Sequence, residues 1–339
     1  MRFRKFLIPL TVAVCLLLVF VTWSGSERGK EWRKSLSDQP EINAISGLEG
    51  KNGPVLVVKI DDTPLARPQV GIDQADLVYI EQVEGGLTRL AAVFSRTIPP
   101  LIGPVRSARI TDIDLLSQYG YIAFAYSGAQ TKLRPVIAAA NWRDVGAERL
   151  GPTFFFNAPE RTAPYAMMMR AQDVMSSLQM QGVAIATARS MGWSFGKAPD
   201  SGTAISQVRI TWPASSYTAT WSVKEERWLL SNNGIENRAD SGVQLGASTL
   251  VIQNVVISPS EFRDKVGGVT PLSQVIGSGT GYILRDGKYF PATWIRESAE
   301  SGTRWSDGQG REITFAPGQI WVALTDRAPI FTAVTPAQL

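Results

Sequence analysis

The chain of 339 residues contains no histidine and only one cysteine, Cys15. The absence of histidine excludes Ser-His-Asp and Cys-His catalysis, and zinc sites built from His or Cys ligands. A single cysteine also excludes an intrachain disulfide. Any metal would need oxygen ligands, as Ca²⁺ and Mg²⁺ accept. The sequence therefore identifies no catalytic residue, no metal ligand and no cofactor, and it favours a protein that is not an enzyme.

A strong excess of charge of one sign is also missing. The 34 basic and 30 acidic residues leave a formal net charge of +4. Nucleic-acid binding usually needs a basic stripe with interleaved aromatic residues, and none is evident, so we predict no nucleic-acid partner. The chain is 44% hydrophobic, and its length is typical of one large or two medium-sized domains.

The one long uncharged stretch is residues 6–26, which follows Arg2, Arg4 and Lys5. As a helix it would span roughly 30 Å, the thickness of a bilayer core. The preceding positive charges favour a cytoplasmic N-terminus. We predict a cytoplasmic stub at 1–5, a single-pass anchor in a bacterial membrane at 6–26 and a juxtamembrane linker at 27–53, with the bulk of the chain extracytoplasmic.

Two alternatives to an uncleaved anchor stay open. The stretch could be a cleaved signal peptide, because Ser24 and Ser26 are small residues that could precede a cleavage site. It could also carry a lipid on Cys15. Val14, however, is bulky where lipid attachment requires a small residue, and the apolar run continues past Cys15.

Residues 54–200 mix strand and helix patterns. Short β-branched or apolar runs predict strands at 54–60, 76–83, 87–95, 121–126 and 153–157, and helices at 111–119, 132–140 and 165–181. The second and third strands are joined so tightly at Glu84-Gly85-Gly86 that they must be antiparallel. We predict an α+β domain with a layered mixed sheet and helices.

Residues 201–335 are strand-like throughout, after a boundary rich in Ser, Gly and Ala. Asp286-Gly287 and Pro317-Gly318 mark tight turns between alternating runs, which predicts a mostly antiparallel β domain. Six tryptophans recur here. They suit a hydrophobic core or, if exposed, a sugar-stacking surface: Trp212, Trp221, Trp228, Trp294, Trp305 and Trp321. Ser194 and Lys197 match the Ser-x-x-Lys spacing, but the partner motifs of that nucleophile are missing.

Charged residues cluster in residues 54–109, beside the predicted core strands. Two guanidiniums three residues apart, Arg106 and Arg109, could clamp a carboxylate or phosphate, and Ser107 could cap the following helix. The candidate ligand-binding residues are Asp61, Asp62, Arg67, Glu81, Glu84, Arg89, Arg106, Ser107 and Arg109. The same charges could instead pair with one another as a structural network.

The order of these motifs resembles the YerB-like family of bacterial extracytoplasmic proteins, which are built from two consecutive domains of unknown function. The resemblance rests on residues 58–62, 66–69, 75–79, 83–89 and 103–109, and it spans about residues 50 to 335. It implies a layered α+β fold with two sheets and helices, and attachment to the cell surface, often by a lipid. This chain departs from the pattern at Tyr165, where similar proteins tend to place a histidine. The family offers no activity to transfer.

Three functions follow as hypotheses. The first is a membrane-anchored, non-enzymatic module of the cell envelope, whose polar site binds an anionic or glycan ligand, a cell-wall component or an envelope protein. The second is a hydrolase of envelope polymers that uses a carboxylate pair, Asp62 with Glu81 or Glu84. The third is a structural adaptor that offers a sheet edge or tryptophan patch to a partner.

Overall fold

The structure is a computed structural model that describes residues 40–334. The chain from Ile42 onward forms one compact unit. The predicted stub, the anchor, Cys15 and residues 27–39 of the predicted linker lie outside the described residues. The last part of that linker packs into the fold, since Ile45 is fully buried. Within residues 40–334, no helix is long and apolar enough to cross a membrane.

In the N-terminal half, the described residues from 40 onward form eight strands and four short α-helices. The strands are β1 (Leu56–Asp61), β2 (Leu77–Gln82), β3 (Thr88–Phe94), β4 (Leu101–Ile102), β5 (Ile122–Ala125), β6 (Trp142–Asp144), β7 (Phe155–Asn157) and β8 (Met167–Arg170). The helices are α1 (Thr111–Ser117), α2 (Arg134–Ala139), α3 (Ala147–Leu150) and α4 (Ala171–Met180).

In the C-terminal half, residues 201–334 form strands and no helix. They are β9 (Thr203–Trp212), β10 (Ser215–Ser222), β11 (Arg227–Asn232), β12 (Ile235–Glu236), β13 (Gly246–Ala247), β14 (Thr249–Asn254), β15 (Ile257–Arg263), β16 (Val269–Ser273), β17 (Gly277–Arg285), β18 (Lys288–Arg296), β19 (Arg304–Ser306), β20 (Ile320–Thr325) and β21 (Ile330–Ala333).

One mixed sheet runs through both halves, in the order β12-β11-β10-β9-β18-β17-β14-β20-β2-β3-β1-β5-β6. As predicted, β2 and β3 form an antiparallel hairpin, and the pairings of the second half are mostly antiparallel. The late strand β20 lies parallel to both β14 and β2, which joins the two halves through backbone hydrogen bonds. The predicted α+β class with layered mixed sheets is thus confirmed. The proposed boundary at residue 200 stays a prediction.

Strands β1 to β3 are buried on both faces. Alternate residues Leu56, Val58 and Ile60 pack into one hydrophobic core, and Val57 packs into a second core on the opposite face. The second core is covered by α1 through Leu115 and Leu116. This alternation decides where each charged residue at the ends of these strands points.

The structure corrects two predicted features around helices. The helix predicted at 165–181 is strand β8 followed by α4, because the run Met167-Met168-Met169 pairs with β4 and β7. Ser107 does not cap α1. Its hydroxyl donates to the Ser127 carbonyl (3.1 Å), and the Asp112 carboxylate accepts the Arg109 amide (2.6 Å) at the start of this seven-residue helix.

The tryptophans of the second half belong to the core. Trp212, Trp228, Trp294, Trp305 and Trp321 are buried, and Trp221 is half-buried against Trp228. The core interpretation therefore holds for five of the six, and these side chains do not form an exposed sugar-stacking surface.

Candidate functional site

The site starts from the register of β1, β2 and β3. Arg89 in the central strand lies opposite Asp61 of β1 and opposite Glu81 of β2. All three share a face with Ala91 and Tyr79, which belong to the second core. Cross-strand neighbours of this kind have Cβ atoms about 5 Å apart, so the register alone places one arginine between two carboxylates.

Neither carboxylate pairs with Arg89, because each has a closer cation. Glu81 contacts the ammonium of Lys59, and Asp61 contacts the Arg106 guanidinium. Lys59 also donates to the Asp112 carboxylate at 2.7 Å. The side chains of Lys59, Glu81 and Asp112 are fully buried and form an ionic triad beneath the site.

Burial dominates the electrostatics of this triad. It lowers the pKa of Lys59 from 10.5 to about 8, against the attraction and hydrogen bond of Asp112. A value of about 8 leaves the ammonium charged at neutral pH, where it balances buried carboxylate charge. Its remaining carboxylate contact, Glu81, also favours the charged form.

The segment that carries Arg106 is fixed to this triad through the backbone. The Arg106 amide donates to the Lys59 carbonyl (2.8 Å), and the Ser127 amide donates to the Arg106 carbonyl (2.9 Å). The guanidinium then lies between the Asp61 carboxylate and the ring of Tyr165, whose centroid is 5.6 Å from Cζ. Tyr165 therefore packs against the Arg106 guanidinium.

Arg109 is held by the tight turn between β2 and β3. Its Nε and Nη2 donate to one oxygen of Glu84 at 3.0 and 2.7 Å. The other Glu84 oxygen accepts from Gln130 (3.1 Å) and from the Thr270 hydroxyl on β16. Burial would raise the pKa of Glu84, but the charge and hydrogen bonds of Arg109 outweigh it and bring that pKa below 4.5.

The turn has this shape because two glycines adopt positive φ, 69° at Gly85 and 73° at Gly86. A Cβ on Gly86 would lie 2.4 Å from Pro213, whereas a Cβ on Gly85 would meet nothing within 4 Å. The close approach of Pro213 is thus possible only with glycine at position 86.

Arg89, Arg106 and Arg109 converge on a cavity of about 720 Å³, which we call the cationic cavity. Its walls come from β3, the segment 106–109, the loop 129–134 and the tip of the β15–β16 hairpin. Seven cationic side chains line it, against two carboxylates. The cations are Arg89, Arg106, Arg109, Lys132, Arg134, Arg263 and Lys265, and the carboxylates are Glu261 and Asp264.

Ion pairs within residues 40–334 neutralise only part of this charge. Arg106 and Arg109 pair with carboxylates behind the wall, and Arg134 pairs with Glu148 at 2.8 Å. Four lining cations have no ion pair among the described residues: Arg89, Lys132, Arg263 and Lys265. The cavity therefore keeps positive potential that its own walls do not balance.

Arg89 is the innermost of these four. Among the described residues its guanidinium makes one hydrogen bond, from Nη1 to the Ser107 carbonyl at 3.2 Å. Burial, together with repulsion from Arg109 and Arg106, lowers the pKa of Arg89 from 12.5 to about 9. It remains charged at neutral pH, and a guanidinium has five N–H donors, so most of its donors can still bind a ligand.

Two of the candidate residues lie elsewhere. Asp62 follows Asp61 in the chain, so its side chain points to the opposite face of the sheet. There it accepts from Thr88 (2.5 Å), Tyr217 (2.6 Å) and Asn232 (3.2 Å). Arg67 donates to the Asp62 carboxylate at 3.2 Å. Asp62 and Arg67 thus join the two halves of the chain and do not line the cationic cavity.

The carboxylate pair that hydrolysis would require is not assembled. Asp62 and Glu81 are fully buried on opposite faces, and Glu84 is bound to Arg109. Burial raises the pKa of Asp62, while its contacts with Arg67, Thr88 and Tyr217 oppose that shift. None of these three carboxylates lines the cavity. This geometry therefore gives no support to the hydrolase hypothesis, which stays a prediction.

Several residues of the site were missed by sequence reasoning. Lys59 lies in the run that predicts a buried strand at 54–60, and a lysine inside such an apolar run indicates a buried ion pair. Lys132, Arg263 and Lys265 are separated from the 54–109 stretch by sequence, and no local pattern brings them to it. The hairpin that carries the last two was not predicted as a separate pair of strands.

This chain resembles known proteins in sequence and in fold. Two protein families match this chain. They are described as "Protein of unknown function (DUF3048) N-terminal domain", at residues 44–184, and "Protein of unknown function (DUF3048) C-terminal domain", at residues 208–322. A protein of Bacillus subtilis (strain 168), named "Putative lipoprotein YerB", is 48% identical over 56 residues. That stretch covers 16% of this chain and only 17% of the relative.

The fold is also found in a solved structure. The crystal structure of the YerB protein from Bacillus subtilis superposes with a TM-score of 0.72 at 20% sequence identity. The superposition covers 86% of this chain and 99% of that chain. At this identity the likeness is one of fold.

Proposed function

Since this chain belongs to the YerB family of two-domain proteins of unknown function, we propose that it is a membrane-anchored, extracytoplasmic binding module. It holds an anionic ligand in the cationic cavity and catalyses no reaction. The carrying observation is that four lining cations, with Arg89 at the centre, have no ion pair among the described residues.

The arrangement of Arg89, Arg106 and Arg109 supports binding of an anion over a purely structural network. A structural network places each buried cation beside a carboxylate, as the triad of Lys59 does. Arg89 makes no ion pair with its neighbouring carboxylates among the described residues, and it is repelled by the guanidiniums of Arg109 and Arg106. This repulsion is relieved when an anion enters. Guanidiniums also bind phosphate and carboxylate oxygens through paired N–H groups.

Two observations support the cellular location. Residues 6–26 are uncharged and follow three basic residues, the pattern of a single-pass anchor with a cytoplasmic N-terminus. The relative from Bacillus subtilis is named as a lipoprotein, which is a protein attached to a membrane by a lipid. Attachment by a helix would give the same placement outside the cytoplasm.

The absence of catalysis is proposed from the chemistry of the site. With no histidine in the sequence, acid–base catalysis at the cavity would need carboxylates, lysine or tyrosine. Its two carboxylates lie near the tip of the β15–β16 hairpin: Glu261 is on β15, and Asp264 in the turn accepts hydrogen bonds from the amides of Val266 and Gly268. Both face an excess of positive charge, which suits them to shaping the cavity mouth.

Cosedimentation of the full chain with purified bacterial cell-wall fragments tests this function. The first variant is Lys132→Ala/Arg263→Ala/Lys265→Ala, which removes three exposed cations from the cavity. The matched control, Lys197→Ala/Arg209→Ala/Lys224→Ala, removes two lysines and one arginine that are exposed elsewhere.

We expect the cavity variant to lose at least about tenfold in affinity, since charge-assisted contacts contribute about 1.5–3 kcal/mol each. The control should bind like the wild type. Equal loss in both variants would mean that net charge, and not this cavity, governs binding, and the assignment of the site would be wrong.

A further inference from the structure

A second cavity lies directly beside the cationic cavity. It has a volume of about 630 Å³, and we call it the neutral groove. Its charged side chains balance: Arg67 and Arg161 face Glu160 and Asp240. Tyr165 and the exposed Leu65 add an aromatic ring and an apolar side chain.

Arg106 and Tyr165 meet where the two cavities adjoin. Arg106 lines the cationic cavity, Tyr165 lines the neutral groove, and the guanidinium lies over the tyrosine ring at 5.6 Å from its centroid. An anionic group bound by Arg106 would therefore bring the atoms attached to it against Tyr165. A ligand that extends beyond its anionic group can occupy both cavities at once.

The two cavities differ in the chemistry that they favour. A phosphate presents oxygens in three dimensions, so guanidiniums that converge from β3 and from the segment 106–109 can share it, whereas a carboxylate has two oxygens in one plane. The neutral groove offers two guanidiniums as donors and two carboxylates as acceptors, beside the aromatic ring of Tyr165. Hydroxyl groups can bond to both, and the C–H face of a sugar ring can pack on an aromatic side chain.

The polar side chains of the groove are held in place. Arg161 donates to the carbonyls of Ala66 (3.0 Å) and Pro68 (2.6 Å). Arg67 donates to the buried Asp62. Each guanidinium retains further N–H groups, since it has five, and neither side chain has to be ordered anew when a ligand binds.

We propose that the two cavities together accept a phosphorylated sugar. Its phosphate lies among Arg89, Arg106 and Arg109, and its ring lies against Tyr165 in the neutral groove. This inference rests on the proposed function, because it specifies the anion for which the cationic cavity is built. Tyr165 is then a specificity-determining residue: it favours a phosphate attached to a ring over a phosphate alone.

Isothermal titration of the full chain, in an uncharged polyoxyethylene detergent that carries neither phosphate nor sugar, tests the inference. The probes are glycerol 3-phosphate, which has no ring, glucose 1-phosphate and N-acetylglucosamine 1-phosphate. We expect at least one sugar phosphate to bind about five- to tenfold more tightly than glycerol 3-phosphate, the gain from burying one ring face.

Two substitutions of Tyr165 separate the subsites. Tyr165→Leu should remove the preference for the sugar phosphate, so that the ratio of its affinity to that of glycerol 3-phosphate falls to about one. The loss of the Tyr165 contact with Arg106 affects both probes alike and cancels in this ratio. Tyr165→Phe, which keeps the ring, should retain the preference. Arg89→Gln should weaken all phosphate probes together, because it acts on the phosphate and not on the ring.

The outcomes distinguish this inference from the function on which it rests. If all probes bind equally well and Tyr165→Leu changes none of them, the second subsite is wrong while the anion site stands. If no phosphate probe binds at all, the assignment of the cationic cavity to phosphate fails, and the sugar subsite fails with it.

Discussion

Removing the ammonium of Lys59 should destabilise the protein strongly. Its side chain and those of Glu81 and Asp112 are fully buried, and the ammonium contacts both carboxylates. In Lys59→Met the two carboxylates would face each other without a cation. Breaking a buried ion pair in this way costs about 3–5 kcal/mol. For about 300 folded residues, at an unfolding entropy of about 2.1 cal/mol/K per residue, that corresponds to a fall in Tm of about 5–8 °C.

Urea unfolding followed by tryptophan fluorescence measures this loss, because the core tryptophans report on folding. Lys224→Met is the matched control, since Lys224 is exposed and makes no ion pair among the described residues. Its free energy of unfolding should change by less than about 0.5 kcal/mol. The two variants differ only in the burial of the lysine that is replaced.

The pH dependence gives an independent check on the cause. Burial lowers the pKa of Lys59 in the folded wild type from 10.5 to about 8. Between these values the unfolded chain binds more protons than the folded protein, so the stability of the wild type rises with pH. Lys59→Met lacks this titration, so its deficit relative to the wild type should be larger at pH 10 than at pH 7. A deficit below about 1 kcal/mol at pH 7, or one that does not change between pH 7 and pH 10, would contradict a buried, charged Lys59 in the triad.

Three further predictions follow from the site. Gly86→Ala should destabilise the protein by more than Gly85→Ala in denaturant unfolding, because both replace glycine at positive φ but only residue 86 meets Pro213; equal losses would contradict that packing. Glu84→Gln should lower the free energy of unfolding at pH 7. Because the pKa of folded Glu84 lies below 4.5, the stability that this carboxylate contributes is complete above pH 4.5 and is lost as the pH falls through the folded-state pKa. The deficit of Glu84→Gln should therefore vanish at low pH, and a deficit independent of pH would contradict the Arg109 pairing. Arg89→Met should raise the free energy of unfolding in urea, on the order of 0.5–2 kcal/mol. The substitution removes a buried charge and its repulsion from Arg109 and Arg106. A lower free energy of unfolding would show that Arg89 stabilises the fold.

The strands that position the site could be predicted from the sequence, because β1, β2 and β3 are short apolar runs with a glycine turn between the last two. The face of the sheet to which each side chain points could also be predicted from the sequence. Asp61 and Asp62 are consecutive in an extended segment, so the twofold alternation of a strand sends them to opposite faces. Treating both as members of one site overlooked that alternation, and the structure separates them.

Other features depend on contacts that a sequence pattern does not contain. The run Met167-Met168-Met169 suits a buried helix as well as a strand, and only its pairing with β4 and β7 decides between them. The partner of Glu84 on β16, Thr270, is 186 residues away in sequence. The hairpin that supplies Arg263 and Lys265 reaches the cavity through such long-range contacts, so the full cationic lining emerges only from the fold.

The most direct test of the cationic cavity is a crystal structure of the protein soaked with tungstate, a tetrahedral anion that anomalous scattering locates without ambiguity. The account predicts one strong anomalous peak among the guanidiniums of Arg89, Arg106 and Arg109, and its loss in Arg89→Gln. Tungstate bound at other surfaces with the cavity empty would contradict the account.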